Sequence, residues 1–286
     1  MLKLRDGIVE LYKKVATSIP RDVEDALKKA LQEETGPLAK NSLEIILRNI
    51  SIARNSAVPI CQDTGFPVFY VKVPIGLSHE LLRNVIVEAT RLATQKIPLR
   101  ANAVDTVTEK NSGDNTGELF PLIHIESTTD QALTIDLMLK GGGSENIGQI
   151  YKLPATLDTG GQNIRVERDL EGVRKCVLDA VFKAQGRGCP PYTVTVAIGG
   201  AKDQVTALSK KQLLRKLNDA GPVPAITEFE KRLLDDINNL GIGAAGLGGR
   251  TTAIGVKVAA AHRHPASYFV DVSFACWANR RGRFIW

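Results

Sequence analysis

The sequence has few aromatic residues, few cysteines and no long hydrophobic run, and each shortage excludes a class of protein. Aromatic residues make up 5% of the 286 residues, and no basic tract is interleaved with them, which disfavours a nucleic-acid-binding role. No apolar run approaches the roughly 18 residues that a membrane-spanning helix needs. The N-terminal segment MLKLRDGIVELYKKV is charged throughout and lacks the apolar block of a secretory signal. We therefore expect a soluble, cytoplasmic protein.

The bulk composition is that of an ordinary globular protein. Hydrophobic residues make up 43% of the chain and charged residues 24%, and both values are typical of soluble domains. The net charge of +6 is spread along the sequence. A small anionic substrate explains this mild positive excess as well as a phosphate polymer does.

The pattern of apolar residues predicts both helices and strands. Helical spacing predicts helices over residues 2–18, 21–33, 37–55, 78–95, 169–185, 203–216 and 225–239. Apolar alternation or short apolar runs predict strands over residues 66–73, 120–127, 132–139, 192–198, 252–258 and 268–275. The second and third of these strands face each other across a polar turn.

These elements predict one α+β domain over residues 1–286. We expect a helical N-terminal region, with a possible helical subdomain over residues 1–56. The remainder is expected to form a small mixed or antiparallel sheet flanked by helices. No internal repeat, low-complexity tract or long linker divides the chain.

The four cysteines lie far apart and occur in two kinds of surroundings. Cys61 lies in PICQDTG, Cys189 in GRGCPPY and Cys276 in ACWANRRG, so each lies in or beside a turn signal, where sites are commonly built. Spacing alone leaves open that these are three separate, inert thiols. Cys176 instead falls on the apolar face of a predicted helix, where core packing is expected. In a reducing cytoplasm none of them is expected to form a disulfide.

Four segments occur in an order that resembles a known family. They are CQDTG, GGGS, CPPY and the ending HPAS…CWANRR. Together they resemble the N-terminal, or alpha, part of class I fumarate hydratases and of L-tartrate dehydratase. The resemblance covers nearly the whole chain, from about residue 10 to the end. CQDTG or CPP alone would be a weak signal, whereas the ordered set is specific.

The resemblance implies that Cys61, Cys189 and Cys276 hold a 4Fe–4S cluster. Three thiolates for four irons leave one iron without a protein ligand. Such an iron acts as a Lewis acid on the hydroxyl and a carboxylate of the substrate. Because the same iron is exposed to oxidants, we expect activity to be lost in air.

A dianionic substrate beside a negatively charged cluster needs cationic groups, and arginine pairs best with carboxylates. The candidate arginines are Arg100, Arg250, Arg280, Arg281 and Arg283. Arg100 resembles a substrate-binding arginine of the family. For the other four, a surface or structural role remains open.

Five further residues are candidates for substrate binding or catalysis, and the resemblance assigns three of them. Gln62 and Asp63 match positions that contact substrate, and Asp63 lies near the proton-transfer step. The alternative for Asp63 is that it only caps the turn that follows it. His264 matches a histidine that meets a substrate carboxylate. Gly142 and Gly143 belong to a glycine run whose backbone amides can approach a ligand closely.

The resemblance also implies a partner. Single-chain relatives carry a second domain that supplies further arginines, a lysine and a threonine that acts as the base. A separate beta subunit is therefore expected to complete the active site. The expected assembly is α2β2, built on a dimer of alpha chains.

The function expected from these observations is the reversible hydration of fumarate to L-malate, a reaction of the tricarboxylic acid cycle. One alternative within the same class is a dehydratase of tartrate or a related hydroxy-dicarboxylate. Two alternatives from other classes are a non-catalytic metal- or nucleic-acid-binding protein and a structural protein whose cysteines pack in its core.

Overall fold

The computed structural model describes residues 1–158, 161–221 and 223–286. The expected α+β class is confirmed, since helices and mixed sheets are both present. The helices are α1 (Leu2–Thr17), α2 (Arg21–Glu33), α3 (Pro37–Ser56), α4 (His79–Lys96), α5 (Gly142–Asn146), α6 (Leu170–Ala184), α7 (Lys202–Gln212) and α8 (Pro224–Asn238). The strands are β1 (Phe66–Pro74), β2 (Leu122–Thr128), β3 (Thr134–Lys140), β4 (Gln149–Lys152), β5 (Ala155–Asp158), β6 (Asn163–Val166), β7 (Tyr192–Gly199), β8 (Ala253–Ala261), β9 (Phe269–Ala275) and β10 (Arg280–Ile285).

The helices form where local sequence signals predict them. In α1, the apolar residues Leu4, Ile8 and Leu11 recur at helical spacing and are all buried. Helix α4 begins after Ser78, whose hydroxyl accepts a hydrogen bond from the Leu81 amide at 3.3 Å. None of the described helices combines the length and the apolar character that a membrane crossing requires.

The chain divides into two compact units. The first contains Met1–Pro20, Arg48–Gly142 and Ala278–Trp286, and the second contains Arg21–Leu47 and Gly143–Trp277. The grouping of residues 1–56 as a helical subdomain stays a prediction.

The first unit is built on a four-stranded mixed sheet with the order β10-β3-β1-β2. Strand β1 pairs in parallel with β2 and antiparallel with β3. Residues of α1 and α4 share a buried apolar cluster with this sheet, including Tyr12, Phe69 and Ile86. The unit thus has one helical layer packed on a sheet.

The second unit is built on another four-stranded sheet, with the order β4-β9-β7-β8. Every residue of β7 is buried, as expected for a central strand. Helices α6 and α8 contribute Val177, Cys176 and Leu233 to the apolar cluster that includes the strands of this sheet. Strands β5 and β6 form a separate two-stranded ribbon.

The strand pairing differs from the sequence expectation in one respect. Strands β2 and β3 form where expected, but they do not pair across their polar turn, because β1 lies between them. Five consecutive residues of β1, 67–71, are buried, which suits a strand with neighbours on both sides. The short strands β4, β5 and β6 and the arginine-rich β10 were not predicted, since they lack a sustained apolar alternation.

Candidate active site

The CQDTG segment of the first unit forms a turn between α3 and β1 that is held by Asp63. One carboxylate oxygen of Asp63 accepts a hydrogen bond from the Gly65 amide at 2.8 Å, and the other accepts one from the Gly142 amide at 2.9 Å. Gly65 has φ +78°, and a Cβ there would lie 2.8 Å from the Leu139 carbonyl carbon. The motif therefore needs glycine at this position. Asp63 joins the cysteine-bearing turn to the start of the glycine run.

The guanidinium group of Arg280 supports the same turn from β10. Its side chain is buried, and its Nη1 donates a hydrogen bond to the Asp63 carbonyl oxygen at 2.7 Å. Its Nε has no hydrogen-bond partner within the described part of the chain. Arg280 thus contacts the backbone of the turn, and this contact is the structural role that the sequence left open for it.

Gln62 and Arg100 are the exposed polar residues beside this turn. Both side chains are exposed, and the backbone amide of Arg100 donates to the Thr64 hydroxyl at 3.0 Å. This hydrogen bond attaches Arg100 to the turn that contains Gln62 and Asp63, within the first unit. This arrangement suits binding of an anionic ligand, because a guanidinium and a carboxamide are presented to solvent.

The other candidate arginines have different surroundings. Arg283 forms a two-pronged ion pair with Asp136 on the neighbouring strand, with N–O distances of 2.7 and 2.9 Å. Arg281 is half-buried on β10. Arg250 is exposed in the second unit, and its backbone amide donates to the buried carboxylate of Glu34 at 2.9 Å. Glu34 therefore fixes the glycine-rich loop that carries Arg250, a role that the sequence did not predict.

In the second unit, Cys189 and Cys276 are brought together by a backbone contact. The Trp277 amide donates to the Cys189 carbonyl oxygen at 3.1 Å. Cys189 is exposed and has φ +60°, and Cys276 is half-buried. A left-handed backbone is uncommon for a residue other than glycine and often marks a functional site.

The buried hydroxyl of Tyr192 lies near both of these thiols. It donates to the Gln185 carbonyl at 2.7 Å and accepts from the Gly188 amide at 3.1 Å. The pKa of Tyr192 is raised to about 12, chiefly by burial and to a smaller extent by the charges of Cys189 and Cys276. The two thiols therefore lie close enough to one phenol to interact with it electrostatically.

Cys176 is the contrasting thiol. It is fully buried on α6 in the apolar cluster of the second unit, and burial raises its pKa to about 12. The expectation that Cys176 packs in the core is confirmed. Such a thiol is inert at neutral pH, because only the thiolate is a nucleophile and a metal ligand.

A cavity of about 310 Å³ lies next to Gly143 in the second unit. Its lining includes two cations; the residues are Gly143, Asn146, Ile147, Gln149, Lys183 and Arg187. Lys183 pairs with the buried Asp179 at 2.8 Å, and Arg187 donates to the Lys183 carbonyl at the end of α6. Sequence analysis missed Arg187, although it stands two residues before Cys189.

His264 is exposed in the loop between β8 and β9 of the second unit. Its Nδ1 accepts a hydrogen bond from the Ala266 amide at 3.1 Å. In the neutral ring this places the proton on Nε2, which can then donate to a carboxylate. The role of His264 toward substrate stays a prediction.

The donor set has the chemistry that an iron–sulfur cluster requires, because thiolates are its usual ligands. Cys61, Cys189 and Cys276 are all at least partly exposed. Cys61 belongs to the first unit, and the other two belong to the second. Within residues 1–158, 161–221 and 223–286, no three His, Cys, Asp or Glu side chains form a group that could hold a metal ion. Ligation of a cluster by these cysteines therefore stays a prediction.

Comparison with known proteins decides the family. Residues 5–285 match the model of the family described as fumarate hydratase (Fumerase). The chain belongs to the fumarate hydratase (Fumerase) family. The resemblance seen in the ordered motifs is thus confirmed.

Three relatives of this chain match it over nearly its whole length. A Geobacillus stearothermophilus protein, provisionally named class I fumarate hydratase, is 43% identical over 98% of this chain and 54% of its own length. A Methanocaldococcus jannaschii protein, provisionally named L(+)-tartrate dehydratase subunit alpha, is 38% identical over 98% of this chain and 96% of its own. The L(+)-tartrate dehydratase subunit alpha of Escherichia coli is 33% identical over 99% of this chain and 90% of its own. The chain thus spans about half the length of the Geobacillus relative. These names are those of hydro-lyases, so the expected enzyme class of the family is confirmed.

Proposed function

We propose that this chain is the alpha subunit of a two-subunit hydro-lyase that hydrates fumarate reversibly to L-malate. The division of the four thiols carries the proposal: Cys61, Cys189 and Cys276 lie at element ends with partial exposure, whereas Cys176 is sealed in the core. A family member that needs three cysteine ligands and no fourth would show this division.

The cofactor in this proposal is a 4Fe–4S cluster held by Cys61, Cys189 and Cys276. When bound, such a cluster supplies a Lewis-acidic iron with an open coordination position. The remaining chemistry belongs to the protein side chains. Asp63 links the turn that contains Gln62 to the start of the glycine run, and Gln62 directly follows the proposed ligand Cys61 in the chain.

The substrate in this proposal is a four-carbon dicarboxylate. Arg100 binds one carboxylate by charge-assisted hydrogen bonds, and His264 donates from Nε2 to a carboxylate. Gly142 and Gly143 let the ligand approach the backbone. Asp63 keeps the turn in place through two amide hydrogen bonds, and its remaining lone pairs are available to orient the group that moves the proton.

The partner in this proposal is a separate beta subunit that completes the active site and supplies the base. Two relatives of similar length are named as alpha subunits, and the Geobacillus relative has about twice the matched length. A separate beta subunit accounts for both observations, and the proposed assembly is an α2β2 complex in the cytoplasm. Neither nucleic acid nor a membrane is part of the proposed function.

The second candidate is the dehydration of tartrate or a related hydroxy-dicarboxylate. The specific observation in its favour is that the Methanocaldococcus and Escherichia relatives both carry the tartrate dehydratase name. The higher identity to the Geobacillus relative favours fumarate.

Purification under nitrogen with the partner chain retained tests the proposal. The expected result is a brown protein that converts fumarate to malate and loses activity in air, with weaker turnover of tartrate. Faster turnover of tartrate would replace the first candidate by the second. A colourless protein with no turnover of either acid would refute the hydro-lyase proposal.

A further inference from the structure

A buried asparagine, Asn115, lies behind the segment that carries Arg100. Only 4% of Asn115 is exposed, and its φ is +60°, a left-handed backbone that asparagine tolerates better than most residues. Its Oδ1 accepts a hydrogen bond from the Asn102 amide at 2.6 Å. Its Nδ2 donates to the Thr94 hydroxyl at 3.1 Å and to the Arg100 carbonyl at 2.9 Å. The whole amide group of Asn115 is therefore used in local hydrogen bonds.

A second set of hydrogen bonds links the same segment to the CQDTG turn. The Thr64 hydroxyl accepts from the Arg100 amide at 3.0 Å and from the Asn102 side chain at 3.3 Å. The Asn102 side chain also donates to the Gly65 carbonyl at 2.8 Å. The backbone of Arg100 is thus fixed on one side by Thr64 and on the other by Asn115.

These hydrogen bonds fix the position of the Arg100 backbone, from which the guanidinium extends. The Arg100 side chain is exposed and long, and the hydrogen bonds that hold this residue are made by its backbone. A guanidinium that must meet a carboxylate beside Asp63 depends on a fixed origin, because small misplacement of a binding group weakens an ion pair strongly. The hydrogen bonds of Asn115 provide that fixed origin from a residue that does not itself reach the surface.

We propose that Asn115 is a positioning residue that acts through Arg100 in binding a substrate carboxylate. The inference rests on the proposed function, since it assigns Arg100 to the dicarboxylate. The competing role is purely structural: Asn115 would stabilise its loop without any effect on how Arg100 meets the substrate.

A double-mutant cycle in the complete enzyme tests the proposal. The variants are Asn115→Gly, Arg100→Ala and the two combined, and the measurements are KM and kcat for fumarate. Glycine adopts φ +60° freely, so Asn115→Gly removes the amide while permitting the same backbone. If tartrate is turned over faster than fumarate, tartrate is the probe.

We expect Arg100→Ala to raise KM about 100-fold and Asn115→Gly about tenfold, with kcat changed less than about twofold by Asn115→Gly. The double variant is expected to match Arg100→Ala alone, because a residue that acts through another has no effect once that one is gone. Multiplied effects in the double variant would overturn the positioning role.

Asp105→Ala is the matched control in the same loop. Asp105 is exposed and caps a local turn by accepting from the Thr108 amide at 2.7 Å, and its side-chain hydrogen bonds within the described residues go to this turn rather than to Arg100. We expect its KM to equal that of the unmodified enzyme. An equal rise in KM for Asp105→Ala and Asn115→Gly would show general loosening of the loop and overturn the proposal.

A second variant covers the case in which Asn115→Gly does not fold. Asn115→Asp keeps the acceptor for the Asn102 amide but removes the donation to the Arg100 carbonyl, and it is expected to raise KM about threefold to tenfold. If its effect on KM and that of Arg100→Ala multiply in the double variant, the positioning role is overturned while the substrate role of Arg100 stands. An unchanged KM in Arg100→Ala would refute the substrate role of Arg100 and the positioning role together.

Discussion

Cys176 and Cys189 both belong to the second unit, yet they lie in opposite surroundings. Cys176 is fully buried on α6, and Cys189 is exposed in a left-handed turn before β7. Burial disfavours the charged thiolate, whereas a turn at an element end leaves the sulfur accessible. Position in the fold therefore separates a packing thiol from a candidate ligand.

The largest expected effect is on the reactivity of the two thiols toward iodoacetamide. A rise in pKa from 9.0 to about 12 lowers the thiolate fraction of Cys176 about 1,000-fold at neutral pH. In the cluster-free native chain, the exposed Cys189 is therefore expected to be alkylated far faster than the buried Cys176, as measured by mass spectrometry. All four cysteines should react alike in denaturant. Comparable rates in the native chain would erase the distinction.

A serine scan is expected to give the next largest effect, on the free energy of unfolding. Cys176→Ser buries a hydroxyl in an apolar cluster and should destabilise the cluster-free chain by about 1–3 kcal/mol. Cys189→Ser changes an exposed position and should remain within about 0.5 kcal/mol of the parent. Urea unfolding monitored by circular dichroism measures both. A larger loss for Cys189→Ser than for Cys176→Ser would reverse the comparison.

Burial acts on the carboxyl of Asp271 as it does on the thiol of Cys176, and the expected effect on stability is smaller. Asp271 on β9 is 5% exposed, and burial raises its pKa above 3.8, although the Ser273 hydroxyl donates to it at 2.8 Å. Between the two pKa values, the unfolded chain releases this proton and the folded chain keeps it. Its contribution to stability is therefore present at low pH and is lost as the pH rises through the folded pKa.

Asp271→Asn removes this dependence while keeping an acceptor for Ser273. We expect the variant to be more stable than the parent at pH 7 and to gain nothing below pH 3.8. Urea unfolding at several pH values measures the difference. A gain that is largest at low pH would contradict the assigned direction.

The sequence predicts the parts of the fold that depend on local signals. The amphipathic spacing of Leu4, Ile8 and Leu11 locates α1, and the cap Ser78 locates the start of α4. Strand order depends on which strand is buried by its neighbours, and local pattern does not encode that. The placement of β1 between β2 and β3 therefore appears only in the structure.

The candidate site divides in the same way. Turn signals identify Cys61, Cys189 and Cys276, and helical spacing places Cys176 in the core. The two interpretations of Asp63 are compatible, because its carboxylate caps the turn and also holds the Gly142 amide. The roles of Arg280, Asn115 and Glu34 depend on hydrogen bonds between residues far apart in sequence. Local sequence patterns do not encode such pairs.

Iron and sulfide content tests the central claim most directly. The chain, purified under nitrogen together with the proposed beta subunit, should contain about four irons and four sulfides. Cys176→Ser is expected to keep that content, whereas the Ser variants of Cys61, Cys189 and Cys276 should each lose most of it. Equal iron in all four variants, or an unmodified protein with no iron, would contradict the account.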